Sequence, residues 1–179
     1  ELEATIAAFN EALEAEKLLE PMTECANFYY RNLLNHPKLK DSEKDELKYS
    51  LVAALTDDSQ EVYNKYLQAD QEQLANYFKT DSKFSLYPAY LARACELIGK
   101  DHYLYETFKV RQLNFQMLVD QVKSSQATGE NVKAARERLA IQQKELKEYV
   151  SNLGSEYDYL QEDPTYFYND AQAAYQDGN

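Results

Sequence analysis

Tyr87-Pro88-Ala89-Tyr90-Leu91-Ala92-Arg93-Ala94-Cys95-Glu96-Leu97-Ile98 begins a stretch, running on to Val122, in which large apolar side chains recur at alternating steps of four and three. Tyr87, Leu91, Ala94, Ile98, Tyr105, Phe108, Phe115, Val119 and Val122 lie on one stripe. Only Asp101 and Gln112 interrupt it, which is the heptad seam that helix-against-helix packing requires. Read as one helix of about 36 residues at roughly 1.5 Å each, it spans about 54 Å, so its partners must be comparably long. Gly99-Lys100-Asp101 is the one place where this helix is expected to bend, because Gly closes helices and Asp caps them.

The flanking segments carry the same pattern. Leu2, Ile6, Phe9 and Leu13 share a face, and Leu18, Met22, Cys25, Tyr29 and Leu33 share one that has drifted slightly. Pro21 predicts a kink near residues 17–21, and His36-Pro37 ends the helix. Ser42, with Asp41 beside it and Asp45 in the first turn, predicts the next N-cap. Leu47, Leu51, Leu55, Val62, Tyr66, Ala69 and Tyr77 then keep phase, so the helix is expected to run through the weak point Thr56-Asp57-Asp58-Ser59. After the turn-rich Ser124–Gly129, a last stripe comprises Val132, Ala135, Leu139, Leu146, Tyr149, Leu153 and Leu160, broken by Gln142 and Glu156. An antiparallel hairpin about that loop sets Phe115 near Leu139, Phe108 near Leu146 and Gln112 level with Gln142, where the two amides are expected to bond.

The predicted fold is therefore all-α. It is an elongated up-down-up-down four-helix bundle over residues 1–160, with helices near 2–35, 42–79, 86–124 and 130–160. Residues 161–179 form a short C-terminal helix or tail, packed on the bundle or partly disordered. Four Gly and four Pro among 179 residues leave little room for the turns of a sandwich or barrel. Sixteen Tyr and seven Phe without any Trp suit boundary positions whose hydroxyls reach water.

Charge narrows the partners. With 31 acidic against 19 basic residues the net charge is -12, which repels nucleic-acid phosphates and anionic lipid, and no run of apolar residues is long enough to span a membrane. Cys25 and Cys95 are too few for a disulfide framework and sit on apolar faces, so both are expected to be buried free thiols.

No catalytic, cofactor-binding or metal-binding constellation emerges. A di-iron bundle needs Glu-x-x-His, but Leu33 precedes His36 by three and Gly99 precedes His102 by three. Phosphate loops, Cys-x-x-Cys pairs and nucleophile elbows do not occur. Asp57 and Asp58 read as surface or capping residues, Asp101 as a cap with His102 exposed beside it, and Tyr105 as part of the seam. The acidic and aromatic C-terminal segment offers a contact surface in Tyr166, Phe167, Tyr168 and Tyr175.

The order of features resembles one family. Ala7-Ala8-Phe9-Asn10-Glu11-Ala12-Leu13-Glu14-Ala15-Glu16-Lys17-Leu18-Leu19-Glu20-Pro21, Gly99-Lys100-Asp101-His102-Tyr103-Leu104-Tyr105-Glu106-Thr107-Phe108 and the tyrosine-bearing end are similar to the cell-wall-binding lipoproteins of Gram-positive bacteria. The resemblance implies a helical protein tethered outside the membrane, with a lipid anchor upstream of Glu1, and carries over no functional residues. The expected function is that of a non-enzymatic extracytoplasmic, cell-surface binding protein contacting a protein or cell-wall component, with no cofactor. The alternatives are a cytoplasmic acidic adaptor or inhibitor of a basic protein and, third, an enzyme with a carboxylate or tyrosine site.

Overall fold

The computed structural model describes residues 1–57, 59–68, 73, 76, 83–125 and 131–161. Regular structure among the described residues is helical throughout: α1 Leu2–Glu14, α2 Ala26–Leu34, α3 Asp41–Thr56, α4 Ser59–Gln68, α5 Tyr87–Ile98, α6 Tyr105–Ser125, α7 Asn131–Ser151 and α8 Asp158–Gln161. Single 3-10 turns at Phe84–Leu86 and Ser155–Tyr157 precede α5 and α8. The chain is all-α, as its periodicity requires. The contact surface expected at Tyr166, Phe167, Tyr168 and Tyr175 lies outside the described residues.

The helix expected over 86–124 is two helices folded back on each other. Pro88 sits in the first turn of α5, where its missing N–H costs nothing. Gly99 ends α5 at φ +77°, a conformation that an L side chain resists, and its N–H closes the last turn on the Cys95 carbonyl at 3.0 Å. The Leu104 N–H then donates to His102 Nδ1 at 3.2 Å and the Tyr105 N–H to the His102 carbonyl at 2.9 Å, which fixes the turn into α6. Reversal brings Tyr87 onto Phe115, stacked with centroids 5.1 Å apart, while the Cys95 thiol reaches the Tyr105 carbonyl at 3.8 Å. Such a ring pair adds about 0.5–1.5 kcal/mol beyond its area burial. Thus Tyr87, Leu91 and Ala94 face Phe108, Phe115 and Val119 inside one core instead of presenting a common stripe to another helix.

The expected helix over 2–35 also reverses. α1 stops at Glu14, Glu16 takes a positive φ of 55°, and the Glu20–Pro21 peptide is cis. The Ala26 and Asn27 N–H groups donate to the Lys17 and Leu18 carbonyls at 2.8 and 3.1 Å, so α2 runs back along α1. The phase drift between Leu13 and Leu18 marks this turn: folding back lets Ala26, Tyr30 and Leu33 join Phe9 and Ala12 in the core.

The second expected helix begins at Asp41, with the Lys40 N–H bonded to Glu43 Oε2 at 2.8 Å, rather than after a Ser42 cap. It breaks between Thr56 and Ser59, where continuity was expected. Ser59 is fully buried, donates its hydroxyl to the Thr56 carbonyl at 2.6 Å and accepts from Arg111 at 3.1 Å, a local alternative to the helical ladder. Helix α3 packs antiparallel on α5, with Tyr49 beside His102 at one end and Ala54 beside Tyr87 at the other.

Two apolar clusters result. The larger joins α1, α2, α3, α5 and one face of α6 around Phe9, Leu33, Leu51, Leu55, Leu91 and Phe115. The smaller joins a different face of α6, Val110 and Met117, to Leu146, Val150 and Leu160. The register with α7 is near that expected, since Tyr149 meets Glu106, but the faces are rotated. Phe108 and Phe115 belong to the first cluster, Leu146 to the second and Leu139 to neither, so the expected pairings of Phe108 with Leu146 and Phe115 with Leu139 are not seen.

Gly99→Ala tests the reversal by sign. A Cβ there meets nothing within 4 Å, so the cost is backbone strain alone, about 1–3 kcal/mol. The melting temperature should fall by roughly 2–4 °C per kcal/mol for a chain of this size. A continuous helix would instead gain about 1 kcal/mol from the same change, and a rise in melting temperature contradicts the hairpin.

Candidate functional site

Helices α5 and α7 both pack on α6, with no comparable contact between them, and a strip of half-buried residues runs along α6. Tyr105, Lys109, Gln112, Gln116 and Asp120 recur there at steps of four, three, four and four. They form a polar strip between the two apolar faces of the helix. Two clefts, of about 380 and 230 Å³, follow this strip and share Lys109. The first is walled by Ala92, Cys95 and Glu96 of α5 with Gly99 and Lys100 of the turn, the second by Gln142, Glu145, Leu146 and Tyr149 of α7. Together they make a groove along α6 from Tyr105 to Met117, about 18 Å at a rise of roughly 1.5 Å per residue.

The polar groups in and under the groove are held by one another. Tyr149 donates its hydroxyl to Glu106 Oε2. Burial first, and then this hydrogen bond, push the tyrosine pKa far upward and keep the hydroxyl a donor. Lys109 Nζ donates to Gln112 Oε1 at 2.8 Å. Gln116 Nε2 and Gln142 Nε2 donate to the two oxygens of Asp120 at 3.2 and 2.8 Å. An ionised carboxylate only accepts, so Asp120 fixes which way the Gln142 amide points. Gln142 Oε1 is left buried without a hydrogen-bond partner. The expected bond between Gln112 and Gln142 is therefore absent, each amide having a charged neighbour on its own side.

The remaining sequence candidates are placed as follows. His102 is half-buried and stacks on Tyr103 at 4.7 Å while its Nδ1 accepts the Leu104 N–H, so it braces the turn rather than standing exposed beside a cap. Tyr105 is half-buried and lines the groove. Asp57 is exposed at the end of α3. Among the described residues no cluster of His, Cys, Asp and Glu could hold a metal, and no helix is long and apolar enough to cross a membrane. Sequence reading missed the groove itself, although Gln112, which breaks the heptad, is the visible trace of its floor. Comparisons with protein-family models, curated proteins and solved structures gave no match.

Both cysteines are free and buried. The Cys95 thiol is pushed up from 9.0 to about 11, chiefly by burial, with Lys109 opposing and Glu106 reinforcing the shift. Two thiols should be counted in denaturant without reductant, and neither should react with iodoacetamide in the native protein at neutral pH. The thiol stays protonated in the fold after it has ionised in the unfolded chain, so its contribution to stability is lost as pH rises past about 9. Native labelling of Cys95 at neutral pH as fast as a free thiol contradicts this placement.

Proposed function

We propose that the protein is a non-enzymatic binding protein of the cell surface that takes an extended stretch of a partner polypeptide into the groove between α5 and α7. The observation that carries this reading is the groove: an open, polar-floored channel along a helix, long enough for about five residues of extended chain at roughly 3.3 Å each. Its side-chain amides Gln112, Gln116 and Gln142 offer the kind of hydrogen bonding that an extended chain needs, because main-chain N–H groups must find acceptors when they leave water. The non-enzymatic part is supported by the commitment of its ionisable groups. Glu106 is occupied by Tyr149, Asp120 by two amides, and the Cys95 thiol has a pKa too high for a nucleophile at neutral pH.

Placement outside the cytoplasm, with a lipid anchor upstream of Glu1, is proposed on the resemblance of residues 7–21 and 99–108 to cell-wall-binding lipoproteins. The up-and-down alternation expected of four long helices is read here as a property of this larger number of shorter ones. A second reading, an acidic adaptor for a basic protein, draws on the net charge of -12.

Selection of octapeptides from a random displayed library against the full chain tests the groove. Selected peptides should bind with micromolar affinity and lose at least about tenfold, or roughly 1.4 kcal/mol, on Gln112→Trp, which fills the floor while leaving the circular dichroism unchanged. Selection of no peptide, or of peptides indifferent to Gln112→Trp, contradicts the reading.

A further inference from the structure

We infer that the cavity between the ends of α1 and α3 and the start of α5 binds a small organic amine, one ammonium carried on an aromatic or branched apolar body. The cavity shares no lining residue with the α6 groove and does not depend on the peptide reading. Its volume is about 210 Å³. A cavity of roughly 150 Å³ already holds a benzene ring, so such a ring fits here together with a short chain. The floor is apolar: Leu18, Tyr87 and Tyr90 are buried, with half-buried Leu13 and Ala54 beside them. Tyr87 is fixed by its stack on Phe115 at 5.1 Å and its edge-on contact with Tyr90 at 6.1 Å, so the floor is formed before any ligand arrives and little ordering is left for binding to cost.

Charge decides the class of ligand. Lys83 and Glu16 line the cavity as an ion pair, so their fields largely cancel. Asp57 is the remaining charged residue of the wall. It is exposed at the C-terminal end of α3 and enters no ion pair among the described residues. The last turn of α3 contains no basic residue, so the negative end of the helix dipole adds to the Asp57 carboxylate. Arg111, which reaches this region, is bonded to the Ser59 hydroxyl and does not line the cavity. Burial raises the Tyr90 pKa, against Lys83 and with Glu16, so the floor itself stays uncharged. An anion would be repelled at Asp57 and a neutral molecule would gain only the floor, whereas an ammonium gains both the floor and the carboxylate.

Titration of isotopically labelled full chain with 2-phenylethylamine, 2-phenylethanol and 3-phenylpropionate tests this, because the three share a body and differ in the charge at one end. The amine should bind at least about fivefold tighter than the alcohol, the gain of a partly exposed ion pair, and the carboxylate should bind weakest. The amine should shift the resonances of Ala54 and Tyr90. Asp57→Asn, at an exposed position, should erase the advantage of amine over alcohol, whereas Glu137→Gln on α7 should leave it intact. Ala54→Leu narrows the cavity while keeping a good helix former, and should weaken amine and alcohol alike. Equal binding of amine and alcohol, or an advantage that survives Asp57→Asn, overturns the contact between ammonium and Asp57. Amine binding that spares the Ala54 and Tyr90 resonances, or that is indifferent to Ala54→Leu, overturns the cavity as the site. Failure of all three probes to bind overturns both.

Discussion

A single backbone conformation governs the architecture. At Gly99 the chain takes φ +77°, so the N–H and carbonyl that would have continued α5 close it instead, and α6 returns along it. Once the chain reverses, Tyr87 and Phe84 meet Phe115, and the ring contacts at 5.1 and 5.9 Å anchor the far end of the hairpin against α3 and α1. Without that reversal the apolar residues of 87–98 and 105–119 would point the same way and need an outside partner. With it, they satisfy each other.

The reversal also explains why α6 differs from its neighbours. A helix packed on one side needs one apolar face, whereas α6 is held by α5 on one side and by α7 on another, so it carries two, Phe108 with Phe115 and Val110 with Met117. Two faces that do not meet leave a strip between them. The side chains of that strip are half-buried, so their polar groups must be bonded to water or to one another. Lys109 with Gln112, and Asp120 with Gln116 and Gln142, are the bonds that result. The polar floor is thus a consequence of the packing, and among the described residues it leaves Gln142 Oε1 buried without a hydrogen-bond partner.

Helical periodicity was readable in the sequence, as were weak points of the helices: Pro21 lies in the turn between α1 and α2, and Gly99–Asp101 in the turn between α5 and α6, while at Thr56–Ser59 the weak point was seen but continuity expected. Whether such a site bends a helix or reverses it depends on contacts distant in sequence. Arg111 reaching Ser59, 52 residues away, and Tyr87 meeting Phe115 have no local signature. Heptad reading also assigns each helix one seam, so it placed Phe115 opposite Leu139 and overlooked Val110 and Met117 as a second face. Gln112 was visible as a flaw in the seam. Its meaning as part of a polar strip required knowing that both flanks of α6 are covered.

The groove exists only if α5 lies beside α6, so the proposed function depends on the α5–α6 hairpin. Spin labels at exposed Ala89 and half-buried Gln116, in a chain with Cys25 and Cys95 replaced by Ala, measure this directly. Packed helices lie roughly 8–10 Å apart between axes, so the hairpin predicts label separations below about 20 Å. A distance near 40 Å, the rise of 27 residues along one uninterrupted helix at roughly 1.5 Å each, contradicts the hairpin and removes the groove with it.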